Sequence, residues 1–143
     1  MLTRPGFEKA NGDFMQAQKH LRNGDYKEAI GGAGDAVEST MKAICKCQVW
    51  SHKKGARATD LIKELAKKGL FPEEFIGEKS LEQLVGFLKA ALPDLRNKGG
   101  AHGEAPDAPP VPAYLAAFAL HEPAAYALMM IRALDALPPP QSG

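Results

Sequence analysis

The sequence predicts an all-α fold, an up-and-down bundle of about five helices. Three observations carry this expectation. Apolar residues recur three or four positions apart along most of the chain, no stretch keeps the alternate-residue pattern of a half-buried strand, and the helical runs are separated by short breaks rich in Gly, Pro and Asn. The 143 residues amount to one domain's worth of core. We assign residues 1–137 to a single helical domain and residues 138–143, Pro-rich, to a disordered tail.

The first stripe is Phe7, Ala10, Phe14, Ala17 and Leu21, closed by Asn23-Gly24. Asp25 then caps a second helix with the stripe Tyr26, Ile30, Ala33, Val37, Met41 and Ile44. Gly31, Gly32 and Gly34 fall inside this helix. Each costs about 1 kcal/mol relative to Ala, so a close helix–helix approach is expected there. Residues 48–57 read as a loop. A short third helix over about residues 59–68 turns Leu61, Ile62 and Leu65 inward and stops at Gly69. Pro72 with Glu73-Glu74 suits the first turn of another short helix. Ser80 caps the next, which carries Leu81, Leu84, Val85, Leu88, Leu92 and Leu95 on one face, with Pro93 bending it. Asn97-Lys98-Gly99-Gly100 breaks that pattern, and residues 105–112, with four prolines, form a loop. Residues 113–137 are rich in Ala, Leu, Met and Tyr, with Pro123 as an interruption. His121, Glu122, Arg132 and Asp135 leave no clean run of about 20 apolar residues there. This segment belongs in a bundle core or a dimer interface rather than in a membrane.

Residues 21–30 resemble the first half of a tetratricopeptide unit. The stretch about 34 residues on, Gly55-Ala56-Arg57-Ala58-Thr59-Asp60, does not repeat it, which sets a helical-repeat scaffold aside.

Hydrophobic residues make up 45% and charged residues 24% of the chain, a balance that excludes wholesale disorder. Eighteen Lys+Arg against seventeen Asp+Glu give a net charge of +1, which excludes bulk, nonspecific coating of nucleic acid. The charge is unevenly placed. Residues 1–41 hold five basic and six acidic side chains, and residues 69–143 hold five and nine. Between them, Lys42, Lys46, Lys53, Lys54, Arg57, Lys63, Lys67 and Lys68 face only Asp60 and Glu64, net +6. Such a stretch either steers a polyanion locally or is simply a solvated helix face. Cys45 and Cys47 cannot form a disulfide framework, and residues 1–7 show no signal-peptide pattern. Both features fit a cytoplasmic protein.

The candidate chemistry sits in Leu95-Arg96-Asn97-Lys98-Gly99-Gly100-Ala101-His102-Gly103. On an unbroken helix, six positions leave Arg96 and His102 about 120° apart, unable to meet on one small group. Gly99-Gly100 lets the chain leave the helix and bring His102 back toward Arg96. An Arg fork binds phosphate oxygens bidentately, and a neutral His near pH 7 takes a proton from a sugar hydroxyl. These are parts for RNA cleavage without a metal. The competing reading is a helix C-cap, with Arg96 on carbonyls and His102 in a turn.

Arg-Asn, four residues, then His resembles the Arg-polar-x-x-x-x-His signature of the HEPN superfamily. The string at residues 95–103 is most similar to that of the abortive-infection C-terminal (Abi_C-like) domain family, with one residue fewer between glycine and histidine. Ala36-Val37-Glu38-Ser39-Thr40-Met41-Lys42-Ala43-Ile44 resembles that family's helix carrying Glu-(Ser/Ala)-x-x-Lys, and residues 114–134 resemble its last helix. The resemblance implies a helical homodimer of the cytoplasm with RNA, tRNA included, as its partner. It further implies a role in antiviral defence or a toxin–antitoxin pair, with an antitoxin or defence protein as a second partner. Under it, Arg96 takes phosphate and transition-state charge, His102 is general base or acid, and Asn97 orients the site, as a ribonuclease using no metal and no cofactor. The same family includes members that bind RNA, nucleotides or proteins without cutting. Glu38 and Lys42, four apart on one face, either reach the cleft or form an exposed ion pair worth about 0.3–0.5 kcal/mol. Lys98, Lys53 and Lys54 are further candidates for substrate binding.

Lesser signals have bland alternatives. Cys45-x-Cys47 has no second ligand pair and reads as small buried residues rather than a metal site. Trp50 followed by His52-Lys53-Lys54 either stacks single-stranded RNA or anchors its loop to the bundle. Gly31-Gly32-Ala33-Gly34 lies mid-helix without the Lys-Ser/Thr ending of a phosphate loop.

Overall fold

Helix α1 spans Glu8–Arg22, α2 Tyr26–Gln48, α3 Ala58–Lys67 and α4 Ala113–Ala136 in a computed structural model that describes residues 4–72, 79, 82, 83, 86 and 111–140. Lys79, Glu82, Gln83 and Gly86 are helical and exposed as well. No strand occurs among the described residues, so the molecule is all-α. The helix starts expected at Pro72 and Ser80 and the bend at Pro93 lie outside the described residues, apart from Pro72 itself, which is exposed and non-helical.

Helix α2 is the centre of the bundle. It packs against α1, α3 and α4, and α1 also touches α4. The sequence dictates this role, because the buried face of α2 is wide: Ile30, Val37, Met41 and Ile44 run along one line of the helix, Ala29, Ala36 and Thr40 lie about a quarter-turn around it, and all seven are fully buried. Val37, Met41 and Ile44 join Phe7 and Phe14 of the first segment, Leu61, Ile62 and Leu65 of α3, and Leu120, Met130, Ile131 and Leu134 of α4, with Ile30 in a small satellite with Ala119. Each such side chain contributes about 1.5–3 kcal/mol by leaving water. Thr40 is the buried polar residue among them, and its hydroxyl donates to the Ala36 carbonyl at 2.8 Å.

The helix ends follow local chemistry. At the start of α1 the Glu8 carboxylate accepts the Gly6 N–H at 3.0 Å. Hydrogen bonds from its own N–H and from Gly6 hold that carboxyl below the usual range. Asp25 flanks α2 as expected, but its side chain makes no capping bond. It lies instead 3.4 Å from His20, because the chain reverses there and brings the two together. At α3, Asp60 reaches back to the Arg57 N–H at 3.2 Å. All three of these helices end in the same six-residue closure: Asp25 N–H to His20 carbonyl, Trp50 to Cys45, and Leu70 to Leu65. Gly24 and Gly69 supply the left-handed residue twice, but in α2 it is Val49, at φ 56°.

Two other expectations are revised. The loop begins at Val49, not at residue 48, and Pro123 does not interrupt the last helix. Proline removes one N–H and crowds the preceding turn, yet Pro123 is buried in α4 and the flanking turns are held by packing on α2. The glycine-rich stretch of α2 allows a close approach at Gly32, where a Cβ would stand 3.2 Å from that of Ala17 in α1. Nothing lies within 4 Å of the same position at Gly31.

By length and composition, α4 is the one helix among the described residues able to cross a membrane, with a mean hydropathy of 1.2 over its best window. In the bundle, its Ala116, Leu120, Ala127, Met130 and Leu134 are buried. Arg4 ties the segment before α1 to Asp135 near the end of α4 and sits 6.0 Å from the Phe7 ring centroid.

Candidate functional site

Four of the sequence candidates, Arg96, Asn97, Lys98 and His102, lie outside the described residues, as does the glycine pair between them. The other four fall in two places: Glu38 and Lys42 on α2, and Lys53 and Lys54 in the loop that follows it.

On α2, residues 35, 38, 39, 42 and 46 recur at helical spacing on the side away from Val37, Met41 and Ile44. With Lys9 and Asp13 of α1 they line a groove of about 330 Å³. The Lys42 ammonium donates to Glu38 Oε1 at 2.7 Å, so the two candidates are partnered with each other along one helix. Beside them, the Ser39 hydroxyl donates to Asp13 Oδ2 at 2.8 Å and accepts from Lys9 Nζ at 3.0 Å. Lys9 also donates to Asp13 at 3.0 Å, which closes a three-residue network between α1 and α2. Lys9, Lys42 and Lys46 thus face Asp13, Asp35 and Glu38. This groove is polar and charge-balanced, and a phosphate drawn to Lys42 must first displace Glu38. Pairs of this exposure are worth about 0.3–0.5 kcal/mol, a small barrier to such an exchange.

The groove continues past Asp13 and Asp35 to His20, Lys27, Gly31 and Gly32. His20 stands between Asp25 and Gln16, each 3.4 Å from a ring nitrogen. The sequence shows no partner for His20, since Asp25 reaches it only through the turn between α1 and α2. Likewise the four-residue spacing of Lys9 and Asp13 is a visible ion-pair signal, whereas the addition of Ser39, 26 residues beyond Asp13, is not.

Lys53 and Lys54 are exposed, in a loop fixed at its start by Trp50. The indole is half-buried and packs against the main core, so it anchors the loop while part of its surface stays exposed. Arg57, Lys63, Lys67 and Lys68 are exposed too. Cys45 is buried and Cys47 half-buried, both as free thiols. Burial first, and then the charge of Glu64, push the Cys45 thiol up, against the opposing pull of Lys68. Among the described residues no three His, Cys, Asp or Glu side chains stand together as a metal site.

Among known families, the model for Abi_C, described as a HEPN-like domain, matches residues 8–134. No curated protein and no solved structure matches the chain.

Proposed function

Given that this chain belongs to the Abi_C family of HEPN-like domains, we propose that it is a metal-independent endoribonuclease of the phage-defence or toxin–antitoxin kind, acting on RNA in the cytoplasm as a homodimer. The observation that carries this reading is the Arg96-Asn97…His102 string, which falls inside the matched span of 8–134. His102 accepts the proton of the RNA 2′-hydroxyl, whose oxygen then attacks the adjacent phosphorus. Arg96 holds the phosphoryl oxygens as their charge grows, and Asn97 orients the pair. The bond to the 5′-oxygen breaks, that oxygen takes a proton from the partner subunit's His102 or from water, and a 2′,3′-cyclic phosphate is left. Glu38 and Lys42 support the site from α2, and Lys98, Lys53 and Lys54 contact the substrate backbone.

The test is incubation of the purified protein with total tRNA in EDTA. Fragments ending in cyclic phosphate, lost in His102→Ala and Arg96→Ala, are expected. Cleavage that survives His102→Ala overturns the role given to that histidine. The missing residue between Gly100 and His102, relative to the family string, favours a second reading: a module that binds RNA, a nucleotide or a protein partner without cutting. Salt-sensitive RNA affinity with no products at any time would decide for it.

A further inference from the structure

A groove of about 390 Å³ opens where α2 and α3 end, lined by Gln48, Trp50 and Lys68 and, from far along the sequence, by Leu137 and residues 138–140. The size falls within the range of about 300–1,000 Å³ typical of small-molecule sites. Its chemistry is unlike that of the charge-balanced groove between α1 and α2. The wall is an aromatic ring and three prolines, which offer ring faces and no backbone N–H. One amide, that of Gln48, can both donate and accept. Among the described residues of the lining, the only charge is that of Lys68.

Trp50 is held in place before any ligand arrives. Its indole packs against the core and its backbone N–H closes α2 on the Cys45 carbonyl at 2.8 Å, so a ring stacking on it loses little side-chain entropy. Further cations lie close to the site along the chain. Lys53 and Lys54 follow Trp50 by three and four residues, hence within about 14 Å along the chain, and Lys67 neighbours Lys68 at the end of α3. All four are exposed, and none is ion-paired among the described residues. A fixed aromatic face beside unpaired lysines is the arrangement that holds unpaired nucleic-acid strands, the ring taking a base and the ammonium groups the flanking phosphates.

We propose that this groove binds an unpaired base of single-stranded RNA on Trp50, with Lys53, Lys54 and Lys68 on the adjoining phosphates, and so holds the substrate through residues other than the Arg96–His102 string. The inference rests on RNA being what the protein acts on. It adds a preference: a strand with free bases is held, and a duplex of equal charge is not.

Trp50 is the only tryptophan of the chain, so its fluorescence reports this groove alone. The probe is a 2′-O-methyl oligouridylate of eight nucleotides, which lacks the nucleophile for cleavage and separates binding from cutting. Added to the full chain, it is expected to quench Trp50 emission. With three phosphates neutralised on a single strand, affinity should fall about 20-fold between 50 and 200 mM salt. The Lys53→Glu/Lys54→Glu variant, altered only at exposed positions, should weaken binding comparably at low salt. Trp50→Leu, followed by fluorescence anisotropy of labelled probe after a check of its circular dichroism, should lose about 5- to 150-fold, the range for one base–aromatic stack. A duplex or an abasic sugar–phosphate oligomer should leave the emission unchanged. Binding seen by anisotropy with constant Trp50 emission, equal quenching by the duplex, or unaltered affinity in the double lysine variant overturns the proposal, as does absence of any binding. A protein that cuts tRNA without quenching loses only this groove; one that quenches without ever cutting loses only the nuclease reading.

Discussion

Replacing Gly31 and Gly32 separately by alanine tests whether α1 and α2 approach closely at Gly32 and not at Gly31. Both residues are in the middle of α2, so each substitution gains the same helix propensity, about 1 kcal/mol. Their surroundings differ. At Gly31 the added methyl meets nothing within 4 Å, so the gain is realised in full. At Gly32 it would stand 3.2 Å from the Ala17 Cβ and 3.6 Å from the Ala17 Cα. Neither is the free end of a flexible side chain, so relief requires the two helices to separate. Overpacking of this kind costs about 1–3 kcal/mol. Gly31→Ala is therefore expected to raise stability by about 1 kcal/mol, or about 4 °C in Tm for a chain of this size. Gly32→Ala should come out between neutral and about 2 kcal/mol less stable. Urea unfolding followed at 222 nm gives both values at constant m. Equal stabilisation by the two substitutions would refute the argument, because it would mean that α1 does not press on Gly32.

Two further outcomes follow from the end of α2. Val49 holds a left-handed conformation at φ 56° while 79% exposed. That conformation costs an L-residue about 1–2 kcal/mol, so Val49→Gly should be stabilising by up to about 1 kcal/mol once glycine's extra unfolded-state entropy is set against it; a loss above 1 kcal/mol in urea unfolding would show that the valine is needed for packing. The raised thiol of Cys45 has a kinetic and a pH signature. In Cys47→Ser, a thiol reagent should modify Cys45 only at the rate of protein opening, whereas Cys47 in Cys45→Ala should react without that limit. Because the unfolded chain releases the Cys45 proton first, this group's contribution is present below about pH 8.5 and is lost as pH rises above it. Cys45→Ala should flatten that decline, and an unchanged pH profile would refute the assignment.

Where a side chain's fate depends on its own helix, the sequence was a sufficient guide. The stripes from Phe7 to Leu21, from Tyr26 to Ile44 and through Leu61, Ile62 and Leu65 became the inward faces of α1, α2 and α3, and Gly24 and Gly69 ended two of those helices. The pairing of Glu38 with Lys42 is equally local, four residues apart on one turn. Pro123 shows the limit of local rules, since a residue that breaks isolated helices is carried inside α4 by the packing of its neighbours on α2. The Arg96–His102 string was legible as chemistry and lies outside the described residues, so its reading still stands on residue types and family membership alone.

By itself, then, the sequence determined the all-α class, the buried faces and the family, because a 3.6-residue period and a short motif are both written along the chain. The tertiary structure alone decided which distant groups come together: Ser39 with Lys9 and Asp13, Gly32 with Ala17, and Trp50 and residues 137–140 on the walls of one groove. Those contacts depend on how whole helices settle against one another over tens of residues, and burial periodicity says which side of a helix turns inward without saying what it will find there.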